Sequence, residues 1–234
     1  SLAASSDAVE AIREANLVII AVPSDRFRSN LREIKVFLPP DIAVLSVAKG
    51  LEMPRGRRMS QIMEEELPPA LHSGICVLSG PNLAKEIIQG KPASTVIAGR
   101  NADKLADVQD ILRSLTFRVY TSQDVVGVEL GGALKNIIAL GAGFADGLEV
   151  GDNTKAALIT RGLAEITRLG VAAGAQPMTF AGLAGLGDVI ATCASQLSRN
   201  RYVGEQLAKG RRWPEILASM DNVAEGVITT GAAL

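Results

Sequence analysis

The residue of this sequence most suited to proton chemistry is a lysine set in an apolar helix. Lys135 stands amid Leu134, Ile137, Ile138 and Leu140. Burial there strips water from its ammonium and can depress a lysine pKa by about 3–5 units, toward proton exchange near neutrality. The same pattern also fits a lysine that snorkels from a core helix to water. Asn136 follows it, and Gly131 and Gly132 lie one turn earlier, which predicts a cleft where something approaches the backbone. Lys49 directly follows an apolar run and precedes Gly50, and the carboxyl ends of strands are where open α/β sheets take ligands. A solvated loop lysine is the other reading. Ser79-Gly80-Pro81-Asn82 leaves another run with free amides that suit an anion, although Gly-Pro also marks an ordinary turn. Ser198-Arg199-Asn200-Arg201 reads as a helix start whose amides and Arg fork suit a phosphate, or as an N-cap with surface arginines. Asp188 either caps its helix or orients a lysine amine.

Composition removes several other chemistries. Lys+Arg total 24 against 25 Asp+Glu, whereas a surface that tracks nucleic-acid phosphates is strongly basic. One histidine, His72, and two cysteines, Cys76 and Cys193, supply neither a histidine-based metal site nor a disulfide framework. The cysteines sit in apolar strings and read as buried filling, while His72 beside Pro68-Pro69 is expected at the surface. No GxSxG or HExxH motif is present, and no GxGxxG precedes the first strand.

The elements that must position these residues change character part-way along the chain. LVIIAVP (Leu17–Pro23), DIAVLSV (Asp41–Val47) and ICVLSGP (Ile75–Pro81) read as strands buried on both faces. STVIAG (Ser94–Gly99) and FRVYTS (Phe117–Ser122) follow, with helices between the runs. That alternation predicts a Rossmann-like, mostly parallel α/β sheet. From Asp124 onward the patterns are helical throughout, which predicts a partial dinucleotide-binding domain over 1–122 and an all-α substrate domain over 123–234. The stretch Val125–Ala145 is long enough to cross a bilayer. Glu129 and Lys135 inside it would each cost about 2.5–3.5 kcal/mol there, so it reads as a core helix. The first residues carry neither the basic nor the apolar region of a signal peptide, which predicts a cytoplasmic protein. The start at Ser1 and the stop within EGVITTGAAL predict further sequence beyond both ends.

Seven blocks in order carry a resemblance. AVPS (Ala21–Ser24), SVAKGLE (Ser46–Glu52), SGPNLAKE (Ser79–Glu86), GVELGGALKNIIALGAGFADGL (Gly127–Leu148), GDNTKAALITRGLAE (Gly151–Glu165), GLGDVIATC (Gly185–Cys193) and SRNRYVGEQL (Ser198–Leu207) resemble the NAD(P)-dependent glycerol-3-phosphate dehydrogenases, the bacterial type in particular. The resemblance spans essentially the whole sequence. It implies reversible hydride transfer between NADH or NADPH and dihydroxyacetone phosphate, giving sn-glycerol 3-phosphate for glycerophospholipid synthesis.

The resemblance also implies roles. The family's catalytic lysine falls on Lys135, with Asn136 beside it, and Lys49 falls near both substrate and cofactor. Gly80 and Asn82 match substrate-contacting positions and Ala84 a cofactor contact; the family often has Ser or Thr where Asn82 stands. Asp188, Thr192, Ser198, Arg199 and Asn200 match site positions, with Arg199 and Asn200 on the substrate phosphate and Arg199 also reaching the cofactor. Val223 and Glu225 match late cofactor contacts, and Lys155 is a candidate to support Asp188. No metal, nucleic acid or membrane span is implied; a homodimer, associating through the helical domain, is compatible with the sequence, which does not itself give the oligomeric state. The family's Gly-rich fingerprint precedes the first matching block and is not in the sequence. Two other readings stand beside this one: a dehydrogenase of the same two-domain superfamily acting on a hydroxy acid or sugar phosphate, and a non-catalytic fragment serving as a binding or dimerisation module.

Overall fold

A computed structural model describes residues 3–220 and 224–233. The sheet is built from β1 (Leu17–Ile20), β2 (Ala43–Ser46), β3 (Ile75–Ser79), β4 (Ala93–Gly99) and β5 (Phe117–Ser122), hydrogen-bonded in that order. All neighbours run parallel except β3 and β4, which are antiparallel with Val77 opposite Ala98. The connecting helices are α2 (Phe27–Ile34), α3 (Met59–Glu66), α4 (Ala84–Ile88) and α5 (Ala102–Leu112), preceded by the short α1 (Ala8–Ile12).

Period-two alternation sorts the strand residues onto two faces. Val44, Ile75 and Val77 pack with Phe27, Leu31, Ile62 and Met63 of α2 and α3. Ala43, Leu45 and Cys76 pack with Leu105 and Val108 of α5. The central strand β2 is buried along its whole length, as a strand covered on both faces must be. β1 departs from the expectation of full burial: Ile19 is 47% exposed, because among the described residues β1 is one of the two edge strands, with β2 as its hydrogen-bonded neighbour. His72 also departs from its expected place at the surface. It is half-buried, with Nε2 3.0 Å from the carbonyl oxygen of Leu67. Both cysteines are buried thiols.

After β5 the described chain is helical: α6 (Val125–Gly147), α7 (Asp152–Ala172), α8 (Pro177–Ala181), a π-turn over Leu183–Gly187, α9 (Asp188–Ala194), α10 (Arg199–Ala208), α11 (Trp213–Ala218) and α12 (Glu225–Ala233). Asp124 starts α6 by accepting from the Gly127 amide at 2.9 Å. Leu130, Leu134, Ile138 and Ala142 of α6 then pack against Ile166, Phe180, Val189 and Cys193. The helix has the length and hydropathy of a membrane span, yet most of it lies within the chain's own core. Glu129 ties α6 to the sheet half: its carboxylate accepts from the Ser60 amide at 2.7 Å and from Arg58 Nη1 at 2.6 Å, at the start of α3.

Candidate active site

Three elements meet at one carboxylate. The loop after β2 brings Lys49, the middle of α6 brings Lys135, and the π-turn aims Asp188 from the first position of α9. The turn runs into α9 without a break, the Asp188 amide bonding back to the Leu183 and Gly185 carbonyls. Lys135 Nζ donates to Asp188 Oδ1 at 2.6 Å and to Thr192 Oγ1 at 2.5 Å. Lys49 Nζ donates to Asp188 Oδ2 at 2.7 Å and to the Gly80 carbonyl at 2.7 Å. Asp188 is 1% exposed and Lys135 6%, so neither can find bulk water in place of these partners. Lys135 therefore does not snorkel.

The electrostatics follow from that crowding. Burial, then the like charge of Lys49, push the Lys135 ammonium down to about 8, against the opposing pull of Asp188. Burial pushes the Asp188 carboxyl up, but the Lys49 and Lys135 ammoniums outweigh it and hold it below the usual carboxylate range. A lysine poised near neutrality and oriented by an ionised acid is able to give and take a proton.

An amide relay runs on from this centre. Asn136 Nδ2 donates to the Lys49 carbonyl at 3.1 Å, and Asn200 Nδ2 donates to Asn136 Oδ1 at 2.9 Å. Asn200 Oδ1 accepts from the Gly226 amide at 2.9 Å. Next to Gly226, Glu225 accepts from the Ser24 amide at 3.1 Å and the Ser24 hydroxyl at 2.6 Å. Ser24, Lys49 and Gly80 follow β1, β2 and β3, so the ends of three adjacent parallel strands line one edge.

The residues expected to form a site are not all free to touch a ligand. Ser198 caps α10, its Oγ accepting from the Arg201 amide at 3.2 Å, which is the capping alternative rather than an open hydroxyl. Asn82 donates to the Ser94 carbonyl at 3.2 Å and accepts from Thr95 Oγ1 at 2.9 Å, so its amide holds the start of β4. Ala84 opens α4 and is exposed, as is Arg199 on α10. Val223 lies outside the described residues. Lys155 does not support Asp188: it projects from the first turn of α7 to Asp146 at the end of α6, 2.8 Å away. Nor do Gly131 and Gly132 open a cleft. A Cβ on Gly131 would stand 2.6 Å from the Ala184 carbonyl, and one on Gly132 would collide with Ser79 Oγ, so what approaches the backbone is the protein itself. Ser24 was missed by residue type, although the rule that ligands sit at strand carboxyl ends points to the AVPS turn.

Comparison with known proteins decides the family. The profile of the NAD-dependent glycerol-3-phosphate dehydrogenase N-terminus matches residues 1–105, and that of the C-terminus matches residues 124–234. A Sphingopyxis alaskensis protein named as an NAD(P)+ glycerol-3-phosphate dehydrogenase is 51% identical over 97% of this chain and 67% of its own length. The chain belongs to the NAD-dependent glycerol-3-phosphate dehydrogenase family. A Dehalococcoides mccartyi member is 53% identical over 96% of this chain and 62% of its own length, so the chain spans well short of the whole of that relative. The crystal structure of the Coxiella burnetii glycerol-3-phosphate dehydrogenase shares the fold with a TM-score of 0.91 at 34% identity, over 97% of this chain and 69% of that one. Within the family frame, the α/β sheet followed by helices is the expected architecture.

Proposed function

We propose that this chain carries the substrate centre of an NAD(P)-dependent glycerol-3-phosphate dehydrogenase that interconverts dihydroxyacetone phosphate and sn-glycerol 3-phosphate and so supplies glycerophospholipid synthesis. The observation that carries the reading is the buried Lys135 ammonium, held by Asp188 and Thr192 beside Lys49. In this reading residues 1–122 are the dinucleotide-binding part and 123–234 the helical substrate part.

The chain's residues fit one side of a nicotinamide dinucleotide. The strand ends carrying Ser24, Lys49 and Gly80 line a single edge, where doubly wound sheets take such cofactors. Glu225, tied to Ser24, stands at the same edge. Bound there, NADH or NADPH supplies the hydride. Lys135 Nζ then holds the proton that passes to the substrate's carbinol oxygen, and takes it back in the oxidation direction. Asp188 and Thr192 fix the direction of Nζ, while Lys49 adds a second positive charge where negative charge develops on oxygen. Arg199 and Asn200, at the start of α10, hold the phosphate. Asn136 reaches the same place through its bond to Asn200.

Cytoplasmic location and pairing of two copies belong to the same reading. Two buried thiols suit a reducing compartment, and α6 serves as a core helix. The test is oxidation of NADH and NADPH with dihydroxyacetone phosphate. It is run on this chain and on a chimera that adds the remaining segments of the Dehalococcoides mccartyi relative. Turnover that depends on Lys135 supports the reading. Silence in both proteins, with helical content verified, rejects it in favour of another substrate or a binding module.

A further inference from the structure

The start of α10 is clamped to α6 by an ion cluster that takes no part in the lysine centre. Asp146, in the last turn of α6, accepts from Arg201 Nε at 2.7 Å and from Lys155 Nζ at 2.8 Å. The three side chains come from α6, α10 and α7 and are each about one-fifth exposed or less. Arg201 directly follows Arg199 and Asn200. Its backbone carbonyl lies so close to Gly143 that a Cβ there would collide with it, so α10 and α6 touch backbone to backbone. Successive helical residues point about 100° apart. Asn200 points at Asn136, one residue from Lys135, and Arg201 points at Asp146. Fixing those two bearings leaves α10 one rotation about its axis, and with it one direction in which the exposed Arg199 side chain leaves the helix.

We propose that Asp146 and Arg201 are positioning residues for phosphate recognition: they set the rotation of α10 that presents Arg199 to the phosphate of a three-carbon substrate while Asn200 stays anchored on Asn136. The inference rests on the dehydrogenase reading and deepens it. Neither residue touches substrate, and their effect passes through Arg199. Lys155, the third member, holds the same carboxylate from α7, so removing either cation leaves Asp146 one partner, whereas removing the Asp146 charge releases both.

The test is calorimetric titration of sn-glycerol 3-phosphate into the unaltered protein and into Asp146→Asn, Arg201→Lys and Arg168→Gln. Arg168 pairs with Glu165 on the exposed face of α7 and serves as the control. Binding in Asp146→Asn is expected to weaken on the order of tenfold to a hundredfold, the scale of an ångström-sized misplacement. Arg201→Lys, which keeps the charge and loses the Nε fork, is expected to weaken binding less, and Arg168→Gln not at all. In dihydroxyacetone phosphate reduction the same variants should raise KM for that substrate while the pH dependence set by Lys135 stays in place. A clamp that serves only stability would lower the melting temperature and leave the affinity untouched, and that result overturns the proposal. Should Asp146→Asn fail to fold, Arg201→Lys reads the same affinity. An unaltered protein that binds no glycerol 3-phosphate overturns the dehydrogenase reading, and this inference with it. Normal binding by the variants overturns the inference alone.

Discussion

Replacing Asp188 by Asn removes the one negative charge between two ammoniums while keeping the side chain's shape. Lys49, with a side chain 19% exposed, can turn toward water, but Lys135, at 7%, cannot. The loss therefore falls on Lys135. Breaking a buried pair by taking away one partner costs about 3–5 kcal/mol, consistent with roughly 4 kcal/mol for a close charge pair at an effective dielectric near 20. The cost depends on pH with a definite sign. Lys135 titrates at about 8 in the folded protein against 10.5 for an ordinary lysine, so between those values the unfolded chain binds more protons and folding stability rises with pH, by up to about 1.4 kcal/mol per unit. Without Asp188 the folded value falls further, and the variant begins to gain stability at lower pH. The gap between the two proteins should thus be widest near pH ~6 and narrow as pH climbs toward 8. Urea unfolding across that range measures it. Adding Lys135→Met to Asp188→Asn should recover much of the loss, because the orphaned charge is gone. An Asp188→Asn protein within about 0.5 kcal/mol of the parent, the range of surface substitutions, or a gap that ignores pH, would mean that Asp188 does not hold the buried Lys135 charge.

Other consequences are as direct. The rate of dihydroxyacetone phosphate reduction, which needs protonated Lys135, should fall about tenfold per pH unit above about 8, while glycerol 3-phosphate oxidation should rise toward about 8 and level off; pH–rate profiles in both directions check this. Ser198→Ala should cost about 0.5–2 kcal/mol in a denaturant melt, as loss of a helix cap does. Arg58→Met leaves the Glu129 carboxylate buried with only the Ser60 donors, and should destabilise by about 3–5 kcal/mol, read by the same melt.

The sequence made some of this legible for physical reasons and hid the rest. Strands buried on both faces show as unbroken apolar runs, so β2 and β3 stand out, and Lys135 stands out because lysine is costly on an apolar helix. The antiparallel turn of β4 against β3 and the exposure of Ile19 on the edge strand leave no comparable mark. Asp188 was visible as a residue, but its hold on two lysines depends on the π-turn that aims it. Polar residues with two uses were the hardest to read. Ser198 could cap or bind, and it caps; Lys155 was a candidate to support Asp188, and its place in the first turn of α7 sends it to Asp146 instead. Four of the seven ordered blocks supply the side chains that meet around Asp188 and Asn136, from the loop after β2 and from α6, α9 and α10.

The role of Lys135 as the group that moves the proton in the proposed hydride transfer between NAD(P) and a triose phosphate carries the dehydrogenase reading. It is tested most directly by single-turnover reduction of dihydroxyacetone phosphate with Lys135→Met in a protein that turns over when unaltered, with NADH and substrate affinities measured alongside. The expected rate is lower by about 10²–10⁴, the scale of general acid catalysis, with dinucleotide affinity unchanged. Turnover at the parent rate in the variant would contradict it.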